Sequence, residues 1–304
     1  MDKIAAVIVT YNRKELLVKS IASVLRQTKG NPDVLVIDNA STDMTQDTVK
    51  ELYENDSRVK YYNTGSNLGG AGGFSYGINY AVNLGYEYIW IMDDDTYPDE
   101  CALENLLGVA EKLDGEFGFL SSYVKWTDGS SCVMNIPTLC SKKWRCDIPF
   151  HFENRIIPLE STSFVSMFFS SNVVREVGLP IKEFFIWADD VEYSERISSR
   201  YASYFVYDSQ VVHAIKSNIG TSIVDEEDEQ RLTRYRYLYR NKHYIAKRKS
   251  KRARLFLLFE VKNTVRDIMK STSSKKWQKV KIVVASYLSG AFFNPQIDEV
   301  YRVD

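Results

Sequence analysis

Apolar and polar positions follow two alternating periodicities along the first hundred residues. Continuously apolar runs predict buried strands at residues 4–10, 34–37, 59–63 and 88–92. Between these runs, a three-four spacing of apolar residues predicts helices at 14–27, from Ser41 or Thr42 to about residue 53, and at 74–83. Because strands that alternate with helices form βαβ units, we predict an α/β fold around a mostly parallel sheet flanked by helices.

The pattern loosens beyond residue 115. Strands are predicted at 117–125, 162–170 and 204–213, and a helix at 191–200. From about residue 225 an acidic run leads into long helical sequence rich in Arg, Lys and Tyr. We therefore predict a first domain at 1–220, with halves at about 1–98 and 99–220, and a basic helical region at 221–304.

Bulk composition indicates a globular protein of 304 residues, of which 44% are hydrophobic and 26% charged. The N-terminal apolar run is too short for a signal sequence, and no run approaches the ~20 residues that span a bilayer. We therefore predict a cytoplasmic protein, with attachment to a membrane surface left open. The cysteines Cys101, Cys132, Cys140 and Cys146 show no paired spacing, so free thiols are predicted.

Polar residues follow four of the predicted strands. They are Thr10-Tyr11-Asn12-Arg13, Asp38-Asn39, the segment 67–73, and Asp93-Asp94-Asp95. Ligands of parallel sheets bind in the crevice at the carboxyl ends of the strands. The four strand ends therefore predict one binding crevice.

The three aspartates carry the sharpest chemical signal. Side chains alternate along an extended strand, so Asp93 and Asp95 are predicted on one side and Asp94 on the other. Two carboxylates on one side form a site of hard oxygen ligands suited to Mg²⁺ or Mn²⁺. A solvated acidic turn before Pro98 is the alternative.

Two further segments carry open alternatives. In Trp187-Ala188-Asp189-Asp190, an acidic pair follows aromatic residues at a helix start, which fits either an N-cap or a sugar-binding site. The glycine-rich segment 67–73 contains Asn67, Gly69 and Gly70 and permits close approach of a ligand, although a flexible turn explains it too. His213 ends an apolar strand and is either structural or a third metal ligand.

The ordered set of motifs closely resembles the family 2 glycosyltransferases of the GT-A fold over roughly residues 4–215. The resemblance rests on residues 7–13, 36–43, 92–95 and 189–193, in that order and spacing. It implies an inverting transferase that uses a nucleotide-sugar donor and a divalent metal, Mn²⁺ or Mg²⁺. Residues 67–74 and 186–193 are similar to the bacterial galactofuranosyltransferases, which favours UDP-galactofuranose over dTDP-rhamnose as donor.

The resemblance also implies roles for single residues. Asp93, Asp95 and His213 correspond to the metal ligands, and Asp190 to the general base. Asp189 stands where the family has glutamate, so either acid of the pair is a candidate catalytic residue. The implied donor-binding residues are Thr10, Tyr11, Asn12, Arg13, Asp38, Asn39, Asn67, Gly69, Gly70, Asp93, Asp94 and Trp187.

Other classes of protein fit less well. A sugar-nucleotide nucleotidyltransferase shares the sheet and acidic site, but its glycine-rich basic loop is replaced here by Thr10-Tyr11-Asn12-Arg13. A non-catalytic carbohydrate-binding protein needs no second acidic pair.

The stretch 234–254 combines many Arg and Lys residues with four tyrosines. No nucleic-acid-binding module accompanies it. It is interpreted either as a solvated helical face or as a contact with an anionic membrane surface that presents a glycan or lipid-linked acceptor.

Overall fold

A computed structural model of the chain describes residues 3–140 and 147–303. The chain forms two compact units. Unit 1 comprises Met1–Lys182, Asp190–Ile219 and Ile297–Asp304, and unit 2 comprises Glu183–Asp189 and Gly220–Gln296. These units differ from the expected domains in two places, because residues 183–189 group with the C-terminal helices and the last eight residues group with unit 1.

One ten-stranded sheet organises the described part of unit 1. Its strands are β1 (Ile4–Thr10), β2 (Asp33–Asp38), β3 (Val59–Asn63), β4 (Tyr88–Asp93), β5 (Thr96–Pro98), β6 (Leu120–Lys125), β7 (Thr138–Leu139), β8 (Ile156–Ser161), β9 (Met167–Ser170) and β10 (Tyr204–His213). They lie in the order β3-β2-β1-β4-β9-β6-β10-β8-β7, and β5 pairs with β10.

The sheet is mixed. Strands β3, β2, β1 and β4 are parallel to one another, as βαβ units require, and β6 is parallel to β10. Strand β9 runs antiparallel to both β4 and β6, and β5, β7 and β8 also pair antiparallel. The α/β fold is thus confirmed. Its parallel part includes β1 to β4, the four strands whose ends predict the binding crevice.

The helices between the strands are α1 (Lys14–Leu25), α2 (Thr45–Tyr53), α3 (Gly69–Asn83), α4 (Ala102–Lys112), α5 (Ile148–Glu153), α6 (Ser171–Val177) and α7 (Asp189–Ser198). All of them belong to unit 1, except that the first residue of α7, Asp189, belongs to unit 2.

Two expected helix starts are wrong. Helix α2 begins at Thr45, because Ser41 and Thr42 bond to Asn12 instead and Asp43 bonds to the Thr45 amide. Helix α3 begins at Gly69, so the glycines form its first turn rather than a loop before it.

Strand β1 shows why the sheet is buried on both faces. Its alternate residues Ile4, Ala6 and Ile8 pack in one hydrophobic cluster with α1 and α4. Ala5, Val7 and Val9 pack in the other cluster, with α3 and α6. A strand that is covered on both faces reads as a continuous apolar run, which explains the sequence at 4–10.

Unit 2 contains three long helices, α8 (Glu229–Lys249), α9 (Lys251–Lys270) and α10 (Lys276–Ser289). Their common core includes Leu232, Tyr235, Tyr239, Val261 and Val283. Ser250 accepts a hydrogen bond from the Ala253 amide, so it caps α9 where α8 ends. Across residues 3–140 and 147–303, no helix is long and apolar enough to cross a membrane.

The cysteines agree with the predicted free thiols where the chain is described. Cys101, Cys132 and Cys140 form no disulfide within residues 3–140 and 147–303. Cys146 lies outside the described residues.

Candidate active site

Strand register brings the predicted crevice residues to one edge of the sheet. In the parallel ladders Thr10 lies opposite Asp38, and Val9 lies opposite Asp93. Strand β4 ends at Asp93, so Asp94 and Asp95 occupy the turn that leads into β5. Strands β1, β2 and β4 therefore bring Thr10, Asp38 and the aspartates to the same edge of the sheet.

Asp93, Asp95 and His213 converge on one point. One ligand atom from each lies within 4.8 Å of the corresponding atoms of the other two. The antiparallel pairing of β10 with β5 sets His213 opposite Thr96, directly after the aspartates in sequence. This short strand pair brings His213 next to Asp95, which is 118 positions earlier in the chain. The sequence pattern did not reveal the pairing.

His213 is oriented by a residue that sequence reasoning missed. The Asn135 Oδ1 atom lies 2.8 Å from Nδ1 of His213, and the Asn135 amide nitrogen donates to Ser163 Oγ at 2.9 Å. With Asn135 accepting, Nδ1 carries the proton and Nε2 faces Asp95 Oδ1 at 3.1 Å. Asn135 lies in an irregular segment without periodicity, so no local signal marks it.

The electrostatics of the site reflect several acids held together away from water. Burial and the charge of Asp95 raise the pKa of Asp93 to about 6. Burial raises the pKa of Asp94 to about 7 although Arg13 opposes this shift. Burial also acts to raise the pKa of Asp95, but the adjacent His213 outweighs it and holds that pKa below its usual value.

These residues fit a divalent cation. The Oδ1 atom of Asp95 is buried and faces Nε2 of His213 at 3.1 Å, with no further partner among the described residues. Buried carboxylates that lie close together are costly unless a cation meets them. Two carboxylates and one imidazole are a ligand set suited to Mn²⁺ or Mg²⁺, with positions left for substrate oxygens.

Asp94 is not a member of this cluster. Its Oδ2 accepts a hydrogen bond from Thr10 at 2.8 Å, and its Oδ1 lies 3.2 Å from Arg13. Arg13 also bonds Asp95 Oδ2 at 2.8 Å. Arg13 therefore connects the first strand end to two of the three aspartates, a link that the sequence alone did not indicate.

The turns after β1 and β2 support each other. Asn12 adopts a left-handed conformation with φ 54°, and its Oδ1 accepts the Thr42 amide at 2.7 Å. Asp38 is fully buried and accepts hydrogen bonds from the Ser41 amide and the Tyr61 hydroxyl. Asp38 thus fixes the turn, whereas Tyr11 is exposed beside it.

The glycines at the start of α3 differ in their surroundings. A Cβ on Gly73 would lie 2.5 Å from Val9 Cγ1, so the helix approaches β1 closely at this point. Gly69 has φ +72° and its carbonyl accepts from Asn39 at 3.0 Å, while its amide donates to Asn67 at 2.9 Å. Gly70 faces open space, which leaves it as the glycine best placed to admit a ligand.

The acidic pair begins α7. Asp189 is the buried first residue of the helix, and the half-buried Asp190 accepts the Val191 amide at 2.8 Å. Burial raises the pKa of Asp190 to about 6, against the effect of that amide. The charge of Asp190 in turn raises the pKa of Asp93, so the two carboxylates sense each other.

The segment before the pair is conformationally unusual. Phe185, Trp187 and Ala188 all have left-handed backbones, with φ between 64° and 66°. Each such residue costs on the order of 1–3 kcal/mol and persists only where surrounding contacts impose it. The Trp187 ring packs on Tyr235 within unit 2, with 4.8 Å between ring centroids and an angle of 59° between the ring planes.

Comparison with protein-family profiles matches residues 5–169 to Glycosyl transferase family 2. The matched segment contains β1 to β4, the three aspartates and the glycine-rich helix start. The chain belongs to glycosyltransferase family 2. Asp189, Asp190 and His213 follow the matched segment, so the family match does not include them.

Relatives within the family include galactofuranosyltransferases. The chain is 29% identical over 204 residues to GlfT1 of Mycolicibacterium smegmatis and 27% identical over 201 residues to GlfT1 of Mycobacterium tuberculosis. Each match covers 64% of this chain and 64–65% of the relative, so the chain spans slightly less than two thirds of these relatives' length. A solved structure of Staphylococcus aureus TarS residues 1–349 shares the fold, with a TM-score of 0.55, 16% identity, and coverage of 95% of this chain and 72% of that one.

We expect Asn135→Leu to weaken Mn²⁺ binding by about 10–100-fold, because an outer hydrogen bond fixes the tautomer and orientation of a metal-binding histidine. Asn135→Asp keeps an acceptor for Nδ1 and serves as the matched control. Isothermal titration with Mn²⁺ measures both variants. Equal affinities for the Leu and Asp variants would contradict this positioning role.

Proposed function

We propose that this family 2 protein is an inverting glycosyltransferase that transfers a sugar from a nucleotide diphosphate to an acceptor hydroxyl. The observation that carries the proposal is the cluster of Asp93, Asp95 and His213, whose possible ligand atoms lie within 4.8 Å of one another. It lies at the carboxyl ends of parallel strands, where nucleotides bind in such sheets. Unit 1 is then the catalytic domain, with a nucleotide-binding half at about 1–98 and an acceptor half at about 99–220.

Asp93, Asp95 and His213 would hold the cation, and Asp190 would act as general base. A bound Mn²⁺ or Mg²⁺ supplies positive charge that offsets the charge on the departing diphosphate. The acceptor oxygen forms a bond to the anomeric carbon on the face opposite the diphosphate oxygen, whose bond breaks. The hydroxyl proton moves to Asp190, and the nucleotide diphosphate leaves with the bonding electrons.

The residues at the strand ends would bind the donor. Thr10, Tyr11, Asn12, Arg13, Asp38 and Asn39 would form the nucleotide pocket, and Asn67, Gly69, Gly70, Asp94 and Trp187 would contact the diphosphate, ribose or sugar. The open space at Gly70 supports close approach of a ligand there.

For the donor we favour UDP-galactofuranose over dTDP-rhamnose, since relatives from two mycobacterial species are named galactofuranosyltransferases. The deciding experiment is hydrolysis and binding of UDP-galactofuranose, UDP-galactopyranose, UDP-glucose and dTDP-rhamnose, each with Mn²⁺ and with EDTA. Metal-dependent turnover of UDP-galactofuranose supports this donor, whereas preference for dTDP-rhamnose overturns it. No metal-dependent binding of any donor would overturn the proposed function itself.

The proposed acceptor is a glycan or a lipid-linked sugar in cell-surface polysaccharide synthesis, met at the cytoplasmic face of the cell membrane. Helix α9 supports this location better than the tyrosine-rich α8, because Tyr235, Tyr239 and Tyr244 of α8 are buried. The outer face of α9 exposes Leu255, Phe256, Leu258 and Phe259. Exposed cations on the same helix are Lys251, Arg252, Arg254, Lys262, Arg266 and Lys270.

An apolar strip with surrounding cations fits the surface of an anionic bilayer. We expect sedimentation with vesicles that contain anionic lipid, little with neutral vesicles, and release by salt. The double variant Phe256→Ser/Phe259→Ser should lose this binding, and Leu52→Ser, an exposed leucine on α2, should keep it. Equal binding to both vesicle types, or a dimer that the double variant dissolves, would reject the membrane as partner.

A further inference from the structure

Asn241 of helix α8 is fully buried within unit 2 and has three carbonyl partners. Its amide nitrogen lies 3.0 Å from the Phe184 carbonyl oxygen, 3.3 Å from that of Ile186 and 2.9 Å from that of Trp187. All three carbonyls belong to the segment 183–189, which unit 2 contains although it is distant in sequence. One side chain thus meets three backbone acceptors of a short irregular segment.

The neighbouring Arg240 fixes the orientation of this amide. Its Nε and Nη2 atoms donate to Asn241 Oδ1 at 3.1 and 2.9 Å. The same Nη2 donates to the carbonyl oxygen of Glu183 at 2.6 Å. Because a guanidinium can only donate, Asn241 must turn its oxygen toward Arg240 and its N–H groups toward the segment.

Aromatic contacts with α8 also hold the segment 183–189 in place. Phe185 stacks on Tyr237 with 4.8 Å between ring centroids, and Phe184 packs edge-on against Tyr244 at 5.5 Å. The gripped segment includes the left-handed residues Phe185, Trp187 and Ala188. Such backbones are sparsely populated in free chains, so the segment needs external contacts to keep its shape.

The segment runs directly into Asp189 and Asp190 at the start of α7. Resting on the proposed function, we infer that Asn241, oriented by Arg240, is a positioning residue that holds the approach to the acidic pair in its catalytic conformation. Asn241 touches no reacting group and acts only through the backbone of 184–187. Loss of its N–H groups would free that backbone while the metal ligands of unit 1 stay intact.

The test compares Asn241→Ala with Lys279→Met. Lys279 is an equally buried polar residue of unit 2, and it bonds the Val224 carbonyl at 2.8 Å and Glu227 at 3.0 Å rather than the segment 183–189. Hydrogen exchange of the peptide 183–190, kcat, Tm and Mn²⁺ affinity are measured for both. We expect faster exchange at 183–190 and a kcat lower by about 10–100-fold for Asn241→Ala alone, the size that a small misplacement of reacting groups produces.

Mn²⁺ affinity should change by less than about twofold in both variants, since neither side chain bonds the cluster of Asp93, Asp95 and His213. A similar fall in kcat for both variants at similar Tm would reduce Asn241 to a stability role and overturn the inference. Unchanged exchange at 183–190 in Asn241→Ala would overturn it as well. If Asn241→Ala does not fold, Arg240→Gln replaces it, because this change removes the guanidinium that orients Asn241. The same changes in exchange and kcat are then expected for Arg240→Gln.

The exchange measurement separates this inference from the proposed function. If the unaltered protein turns over no donor, the proposed glycosyl transfer fails. Exchange at 183–190 then still reports whether Asn241 holds the segment.

Discussion

Replacing Asp190 by Asn is expected to lower kcat by at least ~10²-fold while donor and Mn²⁺ affinities stay close to those of the unaltered protein. The amide occupies the same volume at the start of α7 but cannot accept a proton from the acceptor hydroxyl. Single-turnover transfer, with donor binding measured in parallel by calorimetry, separates the chemical step from binding. Near-normal turnover would remove Asp190 from the role of base.

Asp189→Asn is the natural companion variant, since the motif order leaves either acid open. Asp189 is buried at the first position of α7, where a carboxylate favours the helix N-terminus. We therefore expect Asp189→Asn to lower the free energy of unfolding and to lower kcat much less than Asp190→Asn does. A larger loss of kcat in Asp189→Asn than in Asp190→Asn would transfer the role of base to Asp189.

The raised pKa of Asp190 adds a pH signature to the same assignment. Burial moves that pKa to about 6, so the carboxylate gains its proton as pH falls through this value. A general base must be deprotonated, and kcat/KM should therefore decline below about pH 6 and level off above it. Loss of this acidic limb in Asp190→Asn would connect it to Asp190.

The second large effect concerns Asp95, whose replacement by Asn should weaken Mn²⁺ binding by at least about 100-fold, the upper end of what outer-shell changes cause. Asp95 is buried, lies in the cluster with Asp93 and His213, and faces Nε2 of His213 at 3.1 Å. An amide there supplies one neutral oxygen and places N–H groups among cationic neighbours. Titration with Mn²⁺ in the absence of donor measures the loss directly.

Asp94→Asn is the matched control on the same turn. Asp94 bonds Thr10 and Arg13 and does not join the cluster of Asp93, Asp95 and His213. Its replacement should leave Mn²⁺ affinity nearly unchanged and weaken donor binding. Equal Mn²⁺ losses for Asp94 and Asp95 would show that the turn as a whole, rather than one face of it, holds the cation.

Local patterns predicted much of this architecture because they record burial one segment at a time. The run 4–10 is apolar throughout since β1 is covered on both faces. Asp93 and Asp95 share a cluster with His213 that lacks Asp94, although Asp94 and Asp95 lie in a turn and not in the strand from which the alternation was argued. Parallel strand order was enough to bring these aspartates to the same edge as Thr10 and Asp38.

What the sequence did not predict depends on contacts between distant segments. Strand β9 enters the sheet antiparallel, which no periodicity marks. Asn135 and Asn241 each act on a residue or backbone more than fifty positions away, and an asparagine in isolation indicates only a turn or a cap. The glycines at 69–73 were mistaken for a loop because close packing of a helix on β1 also favours glycine.

The last residues of the described chain return to unit 1 after unit 2 has ended. Leu179 donates its amide to the Asp298 carbonyl, Lys182 pairs with the Asp298 side chain, and Tyr301 bonds Asn79 and Asn83 of α3. The 220–296 part of unit 2 is therefore inserted between two stretches of unit 1 and is not a removable tail. A fragment that stops near residue 220 would lose the contacts of residues 298 and 301 with unit 1, and it would keep the segment 183–189 without the helix α8 that bonds it.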